Sequence, residues 1–183
     1  HSSTSLIGIP DANGVQVPYI VCAVTPMQSY QSDIEVRLYN LNAVINDVST
    51  APEYSFRIDD TGYWSVNSGI GTANGHFVLQ AYYAWGSSPR SRSYAIHFTD
   101  QGTIAHTCDT LDMPLASTFK RHVKLFQTHD SNIVSYNYIS DGSLYRMIIE
   151  CQEGSCVSGS YSLELDNYTQ KHCIMKRNQA EPL

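Results

Sequence analysis

A two-residue hydrophobic period runs along this chain and constrains its fold more than any other feature. Ile34, Val36 and Leu38 alternate with Glu35, Arg37 and Tyr39. Tyr54, Phe56 and Ile58 alternate with Ser55 and Arg57, and Val123 with Leu125, Val134 with Tyr136 and Tyr138, and Tyr161 with Leu163 and Leu165 keep the same spacing. Successive side chains of a strand point to opposite faces, so each run predicts one buried face and one wet face. No stretch of helical length holds a 3.6-residue period. The best helix candidate, residues 110–120, contains Pro114 and is expected to supply one short turn at most.

Turn chemistry punctuates these runs. Asp59-Asp60-Thr61-Gly62, Thr99-Asp100-Gln101-Gly102 and Ser140-Asp141-Gly142-Ser143 each stand between two alternating segments. Asp offers a local acceptor and Gly the positive φ of a tight turn, so all three read as hairpins. Their similar spacing hints at a degenerate repeat of the propeller-blade or trefoil kind, but without a fixed period. Three segments read as loops: 67–75 with Gly69, Gly71 and Gly75, then 86–93, then 109–119. None separates regions of different composition. The expected fold is all-β, an antiparallel β-sandwich or closed β-barrel, forming a single domain over residues 1–183.

Composition narrows the function classes. Charged residues are 15% of the chain, against about a quarter in ordinary soluble proteins. With 13 tyrosines, this is the opposite of a disordered composition and suits a polar, weakly charged β surface. Eleven basic against 17 acidic side chains leave a net charge of −6, which argues against a nucleic-acid partner. The longest apolar stretch, residues 17–24, is interrupted by Pro18 and is too short to span a bilayer. No signal-peptide pattern is present, so a secreted reading makes this the mature form or a trimmed piece of the protein.

The five cysteines are Cys22, Cys108, Cys151, Cys156 and Cys173. They read as two disulfides and one thiol, which would place the protein outside the cell, secreted or surface-displayed; the competing reading is a cytosolic protein in which they are buried, inert small hydrophobes. Cys151 and Cys156 flank Gln152-Glu153-Gly154-Ser155 and are expected to bond across a hairpin. Cys108 is then expected to pair with Cys173, with Cys22 reduced in an apolar strand that reads as core. The sequon Asn167-Tyr168-Thr169 predicts a glycosylation site at Asn167.

Catalytic motifs are weak. G-x-S-x-G is absent, and Gly154-Ser155-Cys156-Val157-Ser158-Gly159 has the wrong spacing for it. His129-Asp130-Ser131 reads as a turn, because strand neighbours point to opposite faces. Cys173, beside His172 and near Lys171, reads as a bridging cysteine rather than a nucleophile. No zinc motif is present, and no cofactor is expected.

His1 carries the one enzymatic alternative. In its first residue and its fold class, the chain resembles the lytic polysaccharide monooxygenases, secreted β-sandwiches in which an N-terminal His chelates copper. The resemblance implies copper at His1, with His97 or His106 as the second histidine, and action on a polymer. The plainer reading takes His1 as an arbitrary start.

The binding signal lies in Phe77-Val78-Leu79-Gln80-Ala81-Tyr82-Tyr83-Ala84-Trp85, which becomes aromatic as it nears a loop carrying Arg90 and Arg92. Tyr, Trp and Arg are enriched at binding hot spots. Tyr82, Tyr83, Trp85, Arg90 and Arg92 are therefore the candidate ligand-binding residues, for a protein receptor or a carbohydrate. The leading expectation is a recognition module of a microbial or viral surface. A polymer-acting enzyme and a structural coat protein are the alternatives.

Overall fold

The computed structural model describes residues 2–25, 33–58, 64–83, 90–113, 119–128, 132–139, 142–152 and 154–165. It is an all-β, antiparallel protein of three four-stranded sheets. The first sheet holds β1 (Ser2–Pro10), β2 (Gln16–Val24), β3 (Ile34–Asn40) and β4 (Tyr54–Ile58). The second holds β5 (Trp64–Gly71), β6 (His76–Tyr83), β7 (Arg90–Asp100) and β8 (Ile104–Leu111). The third holds β9 (Phe119–Gln127), β10 (Ile133–Ile139), β11 (Leu144–Gln152) and β12 (Ser155–Leu165). Within each sheet every strand pairs with its neighbour in sequence, so each sheet is an up-and-down meander, the topology of a propeller blade.

The sheets pack face to face, as in a sandwich, with the second in the middle. Phe77, Leu79 and Ala81 of β6 and Tyr94, Ile96 and Phe98 of β7 meet Ile7, Ile9, Val21, Val36 and Leu38 of the first sheet. The other face of β6 carries Val78 against Leu125, Ile133, Met147 and Ile149 of the third sheet. Burial on both faces explains why this part of β6 is nearly continuously apolar rather than alternating. Each fully buried aliphatic or aromatic side chain here is worth about 1.5–3 kcal/mol.

One polar group breaks that run, and it is fully satisfied. Gln80 Nε2 donates to Ser93 Oγ at 3.1 Å and to Ser135 Oγ at 3.0 Å, and Asn137 Nδ2 donates to the same Ser135 Oγ at 2.7 Å. All four residues are buried, so the second and third sheets are registered by hydrogen bonds as well as by packing.

The first and second sheets are joined where β1 passes β5. Ser3 Oγ donates to the Gly69 carbonyl at 3.3 Å, Gly71 N donates to Ser5 Oγ at 2.9 Å, and Gly8 N donates to the Thr72 carbonyl at 3.0 Å. A Cβ on Gly71 would collide with the Leu6 carbonyl oxygen. Residues 67–75 are therefore not the loop expected of them. Most of the segment is strand β5; Gly71 and Thr72 are buried because β1 lies across them, and Gly75 is buried against Phe98 of β7.

Other expectations are corrected in the same way. Asp59 to Gly62 lie outside the described residues, but β4 pairs with β3 and β5 with β6, so the two flanking strands belong to different sheets and are not the hairpin expected of them. The Asp100 turn is a hairpin as read, with Gly102 at φ +87° donating its N–H to Asp100 Oδ1 at 2.9 Å. Strand β7 begins at Arg90 and β8 ends at Leu111, which shortens the two later loops. Thr110 and Leu111 lie in β8 and Phe119 and Lys120 in β9, so both ends of the helix candidate are strand. The helix that does form is α1 (Leu41–Ile45), capped by Asn40, whose Oδ1 accepts from Asn42 N and Ala43 N.

Cys151 and Cys156 are bonded to each other, opposite in register across the β11–β12 hairpin. The closed loop is short, so the chain-entropy effect is modest. Replacing both with alanine is expected to cost about 2 kcal/mol in urea unfolding, and an unchanged midpoint would contradict that. Among the described residues Cys22 and Cys108 form no disulfide. Cys22 is not in the core: Tyr19, Val21 and Ala23 take the buried face of β2, which leaves Cys22 half-exposed on the other. Cys173, and with it the Cys108–Cys173 pairing, lies outside the described residues, as do Asn167 and His1. Among the described residues no helix is long and apolar enough to cross a membrane.

Candidate functional site

Strand alternation places a cleft at the open edge between the first and second sheets. On β7, Tyr94, Ile96 and Phe98 face the first sheet, so Arg92 shares their face at the end of the row. On β8, His106, Cys108 and Thr110 line the same side. Phe56 and Ile58 of β4 form the opposing wall, and the space between holds about 360 Å³. Arg57 also borders it, but its position opposite Glu35 puts its side chain on the outer face of β4.

The base of the cleft is rigid. The His106 ring stacks on Phe56, with centroids 3.6 Å apart and planes inclined by 20°, and its Nδ1 lies 2.7 Å from the Tyr54 hydroxyl. Burial lowers the His106 pKa, which favours the neutral ring. Tyr94 is buried at the floor. These aromatic and imidazole faces offer flat surfaces, while Arg92 and Thr110 offer hydrogen-bond donors.

Cys108 and His106 stand two residues apart on one strand face, which by position alone is a nucleophile and a base. The electrostatics oppose that use. Burial, reinforced by the Asp109 charge, pushes the Cys108 thiol up to about 11, so it stays protonated at neutral pH. Among the described residues no group of three or more His, Cys, Asp or Glu side chains is placed to hold a metal ion.

Only part of the expected constellation meets here. Arg92 lines the cleft. Tyr82 pairs with Ser91 in the register, whereas Arg92 pairs with Ala81, so Tyr82 and Arg92 lie on opposite faces of the second sheet. Tyr83 is in register with Arg90, and Trp85 lies outside the described residues. His97 and His106 are likewise divided between the two faces, because His97 pairs with His76 and His106 with Phe98. Sequence reading missed Phe56, Tyr94 and Thr110, and named His106 only as a possible copper ligand. The signal for His106 and Thr110 was the alternation of His106, Cys108 and Thr110 along β8, which carries no known motif. No protein-family model matches this chain, no curated protein is significantly similar to it, and no solved structure matches it.

Proposed function

We propose that this chain is a recognition module of a secreted or surface-displayed protein, binding a polar partner, a carbohydrate or a receptor side chain, in the cleft between β4 and β7–β8. The observation that carries this reading is the cleft itself: a volume of about 360 Å³ bordered by Arg92, Tyr94, His106 and Thr110. A guanidinium supplies fixed donors to a carboxylate, a carbonyl or a sugar hydroxyl, and the aromatic walls supply stacking faces. The protonated Cys108 thiol favours binding over covalent catalysis.

A screen of the folded chain against a glycan array and a panel of displayed receptors would find the partner. Arg92→Ala is then expected to weaken binding by about 1–2 kcal/mol in a protein that still folds. If Arg92→Ala and Thr110→Val both bind the partner with wild-type affinity, the cleft is not the site.

A further inference from the structure

β6 and β7 place His76 directly opposite His97 in the register. Both lie on the face turned to the third sheet, the face that carries Val78 and Gln80. Their ring centroids are 4.7 Å apart and the ring planes are inclined by 34°. His76 is 2% exposed, and neither its Nδ1 nor its Nε2 has a hydrogen-bond partner.

A neutral imidazole carries one donor and one acceptor, and burying both unpaired is unfavourable. The buried amides and hydroxyls of the same face, around Gln80, are all satisfied, so His76 is the exception. An orphaned pair of ring nitrogens points to an occupant within bonding reach. The neighbouring His97 offers a second imidazole rather than a hydrogen-bonding carboxylate or amide. Burial lowers the pKa of both rings, His76 to about 4 with a further contribution from His97, which keeps both neutral and able to donate a lone pair.

The surroundings hold this pair in place. A Cβ on Gly154, in the β11–β12 turn, would come within 3.4 Å of His97 Cε1 and Nδ1, so that turn closes against one edge of the ring. The Cys151–Cys156 bond ties the base of the same hairpin. A Cβ on Gly75 would lie 3.6 Å from Cδ2 and Nε2 on the other edge.

We propose that His76 and His97 together bind a transition-metal dication of the zinc class, with water completing its coordination. Imidazole nitrogen suits zinc, copper and nickel, whereas calcium and magnesium require oxygen ligands. Zinc bonds imidazole nitrogen at about 2.0–2.1 Å, so one ion needs a nitrogen from each ring within about twice that distance. Centroids 4.7 Å apart are of the separation that two imidazoles on one ion require. The ion would pin β6 and β7 beneath the hairpin of the third sheet.

The full chain, stripped with a chelator and dialysed, tests this by thermal melting and calorimetry with zinc chloride, with magnesium chloride as the control. Zinc at about a hundred times its dissociation constant should raise the melting temperature by about 5–10 °C, and magnesium should leave it unchanged. His97→Gln, at the more exposed ring, should melt like the metal-free parent and lose the zinc-dependent rise. His106→Gln, on the other face, should keep it. A parent protein that does not respond to zinc, or a zinc response that survives in both His97→Gln and His76→Gln, overturns the assignment.

Discussion

Replacing Gly71 with valine is expected to destabilise the protein by about 3 kcal/mol or more. Strands β1 and β5 approach so closely that a Cβ at this position meets the Leu6 carbonyl oxygen and lies 3.0 Å from Ile7 Cβ. A flexible side chain would swing aside, but a main-chain carbonyl moves only with its strand. Relief therefore means lifting β1 away from β5. That lengthens the hydrogen bond from Gly71 N to Ser5 Oγ and loosens Ile7 and Ile9 from the core. Gly102 makes the useful comparison. Its φ is +87° and a Cβ there meets nothing within 4 Å, so Gly102→Ala bears only the left-handed backbone strain of about 1–2 kcal/mol. Urea unfolding should rank Gly71→Val well below Gly102→Ala. The reverse order would mean that β1 does not lie across β5 as described.

Ser135→Ala is expected to cost roughly 2–4 kcal/mol, although it removes a single oxygen. Ser135 Oγ accepts from Gln80 Nε2 at 3.0 Å and from Asn137 Nδ2 at 2.7 Å, and its own hydroxyl reaches Gln80 Oε1 at 3.4 Å. Alanine leaves two amides short of a partner between two sheets, with no solvent to replace it. Gln80 and Asn137 are both 0% exposed, so the full desolvation penalty applies. Restoring the hydroxyl with Ser135→Thr should recover part of the loss, at some cost in packing. Melting curves of the three proteins check this. A Ser135→Ala protein as stable as the parent would show that water enters the interface or that the amides find other partners.

The sequence was most legible where one face of a strand is covered and the other is wet. Ile34, Val36 and Leu38 are buried as their alternation required. The Cys151–Cys156 pairing was also readable, because a short loop between two strand segments brings its ends together whatever else the chain does. The alternation misled in the third sheet. Val134 and Tyr136 looked like the buried row of β10, but Ile133, Ser135 and Asn137 take that place. Ser135 and Asn137 are inside because Gln80 faces them from another sheet, and nothing local to β10 could announce that. Tyr161 and Leu163 of β12 are about half exposed, because an edge strand has less of a neighbouring sheet to lie under.

Local chemistry thus determined the secondary structure: the strand period, the glycine and aspartate turns, the hairpin disulfide and the scarcity of helix. The tertiary structure alone decided which sheet each strand joins, since a turn signal reads the same whether the chain folds back or crosses to a new sheet. It also decided the sites. Packing of the first sheet against the second brings Phe56 to Arg92 and His106, and the β6–β7 register turns Tyr82 away from Arg92. His76 and His97 are 21 positions apart in sequence and meet because β6 and β7 pair in one particular register. A one-residue slip in that register would put the two rings on opposite faces of the sheet, and register is set by the packing of all three sheets rather than by either strand.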